Sequence, residues 1–180
     1  MNNKSKRLIF RTLVLSTLFL AIGFTLYQNF NKNDGHLRIG DKAPNFSLKS
    51  IDGKETKPSH IKGKLVLVNF WGSWCEPCKR EMPLIEKTYK TYKNQGFEVL
   101  SVNMREPYWT VLNYIKQEGL TFEVLQDSTG EMTNAYNVYY LPATFLIGND
   151  GKILAKHEGE IKKEQMDTWI KKYLTNYHRS

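Results

Sequence analysis

Two cysteines in 180 residues are too few for a small scaffold stapled by disulfides, so the core has to be built from packed apolar side chains. The chain also lacks an internal repeat, a low-complexity tract and a glycine-rich phosphate loop, which removes repeat architectures and P-loop nucleotide chemistry. Its four histidines, His36, His60, His157 and His178, are scattered without metal-ligand spacing. A zinc site needs about four ligands, and one cysteine pair does not supply them. What remains is an ordinary globular composition, with 41% hydrophobic, 13% aromatic and 24% charged residues. That excludes a disordered protein and leaves room for one domain with a real core.

Acidic residues are missing from the first 11 positions, where Lys4, Lys6, Arg7 and Arg11 occur. From Leu8 to Tyr27 the chain is apolar apart from Arg11 and a few hydroxyls. A bilayer core of about 30 Å needs roughly 20 helical residues, and this run suffices if Arg11 snorkels back to the headgroups. The positive flank precedes the span, so the amino end is expected in the cytoplasm and the rest outside. The expected organisation is a cytoplasmic basic segment over 1–11, a transmembrane signal-anchor over 12–28, a linker over 29–37 and an extracytoplasmic domain over 38–180. A cleaved signal peptide is the alternative, since Ala21-Ile22-Gly23 is a small-x-small triplet, but it lies inside the apolar run. Half of the formal net charge of +8 belongs to this flank, and the remaining 22 basic groups face 18 acidic ones. With no basic stripe interleaved with aromatics, nucleic acid drops out as a partner, whereas nearness to an anionic membrane fits.

After the anchor, Phe46-Ser47-Leu48-Lys49-Ser50-Ile51 alternates apolar and polar residues and meets the turn pair Asp52-Gly53, which predicts a short hairpin. Leu65-Val66-Leu67-Val68-Asn69-Phe70-Trp71 is nearly all apolar, as a strand buried on both faces should be. A helix follows, with Met82, Ile85, Tyr89 and Tyr92 at spacings of three and four, and ends at Asn94-Gln95-Gly96. Phe97 to Asn103 reads as a strand, Trp109 to Glu118 as a helix, Phe122 to Leu125 as a strand and Glu131 to Tyr136 as a short helix. Thr144 to Gly148 and Lys152 to Lys156 form a hairpin around Asn149-Asp150-Gly151. A last helix, Lys163 to Leu174, aligns Met166, Trp169, Ile170 and Leu174. The result is an α/β fold, a mixed sheet with helices on both faces.

Both cysteines fall in one motif, Trp74-Cys75-Glu76-Pro77-Cys78, placed after the buried strand and opening the first core helix. Two intervening residues put the thiols one helical turn apart, close enough to form and break a disulfide. Cys75 lies where backbone N–H groups have no intrahelical acceptor, and these donors with the helix dipole favour its thiolate. Cys75 is therefore the expected nucleophile, and Cys78, less exposed one turn in, the expected resolving thiol. A purely structural disulfide is the alternative, yet a crosslink closing so small a loop restricts the unfolded chain very little. Pro77 suits a first helical turn, and the charge of Glu76 should resist thiolate formation somewhat; together they tune the redox poise. Trp71 is expected in the core and Trp74 beside a docking groove.

The stretch Phe70-Trp71-Gly72-Ser73-Trp74-Cys75-Glu76-Pro77-Cys78-Lys79-Arg80-Glu81-Met82-Pro83 resembles the active-site segment of the thioredoxin superfamily. With the amino-terminal anchor, Ala43-Pro44-Asn45-Phe46 and Leu141-Pro142-Ala143-Thr144-Phe145, the chain is similar to the membrane-anchored TlpA-like branch and its ResA family over roughly Arg38 to Leu174. The resemblance implies a thioredoxin-like fold with an extra amino-terminal β-hairpin and a central insertion. It also implies a monomer with no cofactor beyond the redox-active Cys75–Cys78 disulfide. The implied activity is an extracytoplasmic reductase for the cysteine pair of apocytochrome c before haem attachment, with electrons from a membrane thiol reductant of the CcdA type.

The resemblance also assigns roles. Pro142 on its own reads as a strand-start proline, whereas the resemblance matches it to a cis-proline facing the cysteines and shaping the substrate groove. Glu81, three residues beyond Cys78, would by composition be a solvated helix residue; the resemblance makes it a functional, partly buried carboxylate that raises the thiol pKa and shuttles its proton. Glu106 matches an acidic residue helping substrate discrimination, although Arg105 and Pro107 replace the small neighbours expected there. The same chemistry could serve another client, such as a spore-envelope or general exported protein, and could run as an oxidase, since direction depends on the partners' potentials. A copper-binding assembly factor would need a wider cysteine spacing and a matched distant histidine, and a peroxidase no second cysteine one turn away.

Overall fold

The computed structural model describes residues 3–31, 37–61 and 64–177, in two units, Met1–His36 and Leu37–Ser180. The first unit is a single helix, α1 (Asn3–Asn31), whose 18 residues Ile9–Leu26 are long and apolar enough to cross a membrane. The hydroxyls of Thr12, Ser16, Thr17 and Thr25 donate back to carbonyls three or four residues earlier, so the hydroxyls of the apolar run are satisfied within the helix. The helix begins inside the basic segment and continues through Asn31, so the start of the expected linker is helical; 32–36 lie outside the described residues.

The second unit is a seven-stranded sheet, with β1 (Leu48–Ser50), β2 (Glu55–Thr56), β3 (Leu65–Trp71), β4 (Phe97–Met104), β5 (Glu123–Asp127), β6 (Ala143–Ile147) and β7 (Ile153–Glu158). Their order across the sheet is β2-β1-β5-β4-β3-β6-β7. β3, β4 and β5 are mutually parallel, and the other neighbours are antiparallel. The amino-terminal hairpin turns at Gly53, whose φ of 87° lies in the region that favours glycine, and its N–H donates to the Ser50 carbonyl at 3.0 Å.

All seven residues of β3 are buried, which explains its continuous apolar run: both faces are covered. Leu65, Leu67 and Trp71 face α2 (Glu76–Tyr92), α3 (Tyr108–Glu118) and α5 (Lys163–Tyr177), through Met82 and Ile85, Val111 and Tyr114, and Met166, Trp169, Ile170 and Leu174. Val66, Val68 and Phe70 face the other side, covered by Met132 of α4 (Glu131–Ala135), by Tyr136 and by Phe46. A register shift at Leu146/Ile147 lets β7 put Ile153 on one face and Ala155 on the other.

β5 and α4 stand between α3 and the closing β6-β7-α5 unit, where a central insertion was expected. Because β3 and β4 are parallel, their carboxyl ends lie at one edge of the sheet. Ala143 opens β6 as the register partner of Phe70, so the chain entering β6 arrives at that same edge.

Candidate active site

Cys75 and Cys78 are joined in a disulfide at the start of α2. Cys75 is the N-cap residue, and its sulfur accepts the Cys78 N–H at 3.3 Å. Its own N–H donates to the Gly72 carbonyl and its carbonyl accepts from Lys79 N–H, both at 3.1 Å, so the turn carrying the sulfur is fixed from either side. Cys75 keeps 5% exposure and Cys78 none, so an incoming disulfide reaches Cys75 first. The same N–H that touches Cys75 Sγ can stabilise a thiolate there after reduction.

Glu81 is sealed in the interface between α2 and the sheet at 1% exposure. Asn69 Nδ2 donates to one carboxylate oxygen at 2.8 Å and the Ile161 N–H to the other at 2.7 Å. Burial dominates over these two donors and raises its pKa to about 7, with the nearby Glu160 charge pushing the same way and Lys162 opposing. Glu81 is fully buried where the resemblance implied a partly buried carboxylate, because Asn69 and the Ile161 N–H receive it. Asn69 also donates to Thr144 Oγ1 at 3.0 Å, tying β3 to β6.

Glu106 is placed differently. Arg105 adopts a φ of 58°, which turns the chain at the end of β4 and returns Glu106 to the cysteine loop. The Arg105 guanidinium lies over Gly130, where an added Cβ would come within 2.1 Å of it. The Glu106 carboxylate accepts the Ser73 N–H at 2.7 Å, the Ser73 hydroxyl, and Asn103 Nδ2 at 2.6 Å. Both of its oxygens are thus engaged by the turn that precedes Cys75.

The Leu141–Pro142 peptide is cis, and Pro142 is buried with its carbonyl accepting the Gly159 N–H at 2.8 Å. Trp71 is in the core, as expected, and Trp74 is 65% exposed. Glu76 is exposed and paired with Lys79 at 3.3 Å, and Pro77 occupies the first turn of α2. His60 is exposed, His157 is half-buried with Nε2 3.3 Å from the Glu160 carbonyl oxygen, and His36 and His178 lie outside the described residues. Among the described residues no group of three or more His, Cys, Asp and Glu side chains is arranged to hold a metal ion.

Sequence reasoning passed over Asn69, Ser73, Asn103 and Thr144. Asn69 carried a readable signal, a lone amide in an otherwise apolar buried strand; Ser73 carried none, because its role depends on the turn at Arg105.

The AhpC/TSA family model matches residues 39–156. Over 169 residues the chain is 41% identical to the thiol-disulfide oxidoreductase ResA of Bacillus cereus (strain ATCC 10987 / NRS 248), covering 94% of this chain and 98% of the relative. It is 38% identical to ResA of Bacillus subtilis (strain 168) over 167 residues, 93% of each chain. A crystal structure of a candidate thiol:disulfide interchange protein DsbE from Chlorobium tepidum superposes with a TM-score of 0.72 at 33% identity, covering 77% of this chain and 99% of the other. A cysteine pair at a helix start on a thioredoxin-like sheet, with relatives of this similarity along nearly its whole length, places the chain in the AhpC/TSA family of the thioredoxin superfamily, among the ResA thiol-disulfide oxidoreductases.

Proposed function

We propose that this thiol-disulfide oxidoreductase works as a reductase on the extracytoplasmic side of the membrane, keeping the cysteine pair of apocytochrome c reduced for haem attachment. Lys4, Lys6 and Arg7, in the first turns of α1 ahead of the apolar run Ile9–Leu26, support an orientation with the amino end in the cytoplasm. The observation that carries the reading is the asymmetry of the pair, Cys75 at the helix cap with residual exposure and Cys78 sealed beside the helix turn that bears Glu81.

In the reduced protein, the Cys75 thiolate attacks one sulfur of the client disulfide; a new S–S bond forms, the client S–S bond breaks, and the departing client thiolate takes up a proton. Cys78 then loses its proton to the Glu81 carboxylate and attacks Cys75 Sγ, breaking the mixed disulfide and releasing the second client thiol. The client gains two electrons, and the protein is left with the Cys75–Cys78 disulfide. A membrane thiol reductant of the CcdA type would restore the dithiol. Pro142, Trp74 and the Glu76-Pro77 pair border the approach to Cys75, and Glu106 acts there through Ser73 or on the client.

Deleting the gene and assaying c-type cytochromes, with and without an added thiol reductant, tests the client. The reading predicts a cytochrome deficit that the added thiol or the wild-type gene repairs and Cys75→Ala does not. Normal cytochromes would assign the same chemistry to another exported client.

A further inference from the structure

Two adjacent residues of α2 reach two adjacent residues of the loop between β7 and α5. Inward, the Glu81 carboxylate accepts the Ile161 N–H at 2.7 Å, and both residues are 1% exposed. Outward, Arg80 and Glu160 meet at the surface, where Nε and Nη2 of the guanidinium each lie 2.8 Å from the same carboxylate oxygen. Lys162 takes the other Glu160 oxygen at 2.5 Å, so both oxygens are engaged. The Glu160 carbonyl oxygen lies 3.3 Å from His157 Nε2, and the Gly159 N–H donates to the Pro142 carbonyl at 2.8 Å. Residues 159–162 thus form a short strap, tied to α2 on one side and to the loop entering β6 on the other.

An exposed ion pair by itself adds little to stability. This one differs in what lies beneath it. The strap rests against Glu81 through Ile161, and a buried carboxylate gains by meeting water once it is ionised, so the contact that latches the strap decides how dry the group stays. We propose that Arg80 and Glu160 are positioning residues, whose ion pair latches the strap onto α2, holds the Ile161 N–H on Glu81 and keeps water from that carboxylate as it takes the Cys78 proton. This rests on the reductase reading above and adds to it two residues that govern the proton step without touching sulfur. Burial is the main reason that the Glu81 proton is held to about pH 7. The groups that face it are the neutral Asn69 amide from β3, Cys78 one turn back on α2, and on the strap Glu160, whose charge raises its pKa, and Lys162, whose charge lowers it. Lys162 and then Arg80 hold the Glu160 carboxyl below the usual carboxylate range, so it stays charged while Glu81 titrates. Removing the Arg80 charge has two consequences of opposite sign. By field alone, the loss of a cation and the less neutralised Glu160 beside it would push the Glu81 pKa further up. By release of the strap, water reaches the carboxylate and brings its pKa down toward the ordinary 4.5. The direction of the shift therefore separates a latch from a field.

The test compares Arg80→Gln with wild type, Glu81→Gln and Lys54→Gln, each as the full chain in detergent micelles. Lys54→Gln is the control, since it removes an equal charge from an exposed ion pair with Asp52 in the amino-terminal hairpin. Stopped-flow decay of the mixed disulfide with a synthetic disulfide peptide is followed across the neutral pH range, and the Glu81→Gln profile identifies the inflection that belongs to Glu81. Deuterium exchange of the strap amides is read by mass spectrometry on the same proteins. In Arg80→Gln the inflection should fall by about half a pH unit or more from about 7, and the strap amides should exchange about threefold faster at fixed pH, with neither moved in Lys54→Gln. An inflection unmoved or raised in Arg80→Gln overturns the proposal, and so does unchanged exchange of the strap. Were the profiles of wild type and Glu81→Gln to coincide, the proton role given to Glu81 would fail, and the latch would stand or fall on the exchange of the strap. The synthetic peptide makes both readouts independent of the cytochrome client.

Discussion

Two carboxylates border the cysteine pair, and the protein treats them in opposite ways. Glu81 is withdrawn from water and given two donors, which do not offset burial, so its proton is held to about pH 7. Glu106 stays half-buried and receives three hydrogen bonds, two of them from Ser73, so it serves as an anchor for the turn before Cys75. Residue type is the same; the difference in solvation and donors makes one a poised acid and the other a structural acceptor.

Glu81→Gln breaks the first half of the contrast and should have the largest effect. The side-chain oxygen can still accept the Ile161 N–H, and its amide can donate to Asn69 Oδ1, which lacks a partner among the described residues, after the Asn69 amide turns over. What is lost is the titrating proton. Stopped-flow decay of the mixed disulfide should accelerate with pH through about 7 in the wild type, as Glu81 becomes able to accept a proton, and run roughly 100-fold slower without that inflection in the variant. Stability moves with the same group. Its folded pKa lies above the ordinary 4.5, so between these values the folded state binds more protons and stability falls as pH rises. Urea unfolding should therefore show the wild type losing up to about 3 kcal/mol from pH 4.5 to above 7 through this group, a slope that Glu81→Gln flattens.

The second half is sharpened by a double-mutant cycle on Ser73→Ala and Glu106→Ala. If Glu106 acts through the turn, each single change should cost about 1.5–3 kcal/mol and the pair well short of the sum, in both unfolding free energy and client kcat/KM. Additive effects, with Ser73→Ala silent toward the client, would make Glu106 a direct client contact. Glu76→Gln should do least, since its ion pair with Lys79 is exposed; an unchanged unfolding midpoint in urea is expected.

The fold was legible where burial pattern and turn chemistry agree. The continuous apolar run of β3 and the three-four spacing in α2 mark those elements closely, because a strand covered on both faces and an amphipathic helix each leave an unambiguous period. The cysteine motif named its own chemistry for a similar reason, since spacing and helix start are both local. Short-range patterns did not report what the fold brings together. Glu81 looks solvated until Asn69 and the Ile161 N–H, 12 and 80 residues away, are seen to receive it. The Ser73–Glu106 contact depends on one left-handed residue, and arginine is not a residue that announces a positive φ.

The division of labour within the cysteine pair is the central claim, and trapping tests it most directly. Reduced Cys78→Ala and reduced Cys75→Ala, each mixed with a disulfide-bearing peptide, are resolved by non-reducing electrophoresis and peptide mass mapping. The account predicts a stable mixed disulfide through Cys75 in the first variant and almost none in the second, because Cys78 has no exposed surface. A comparable adduct through Cys78, or none in either variant, would contradict it.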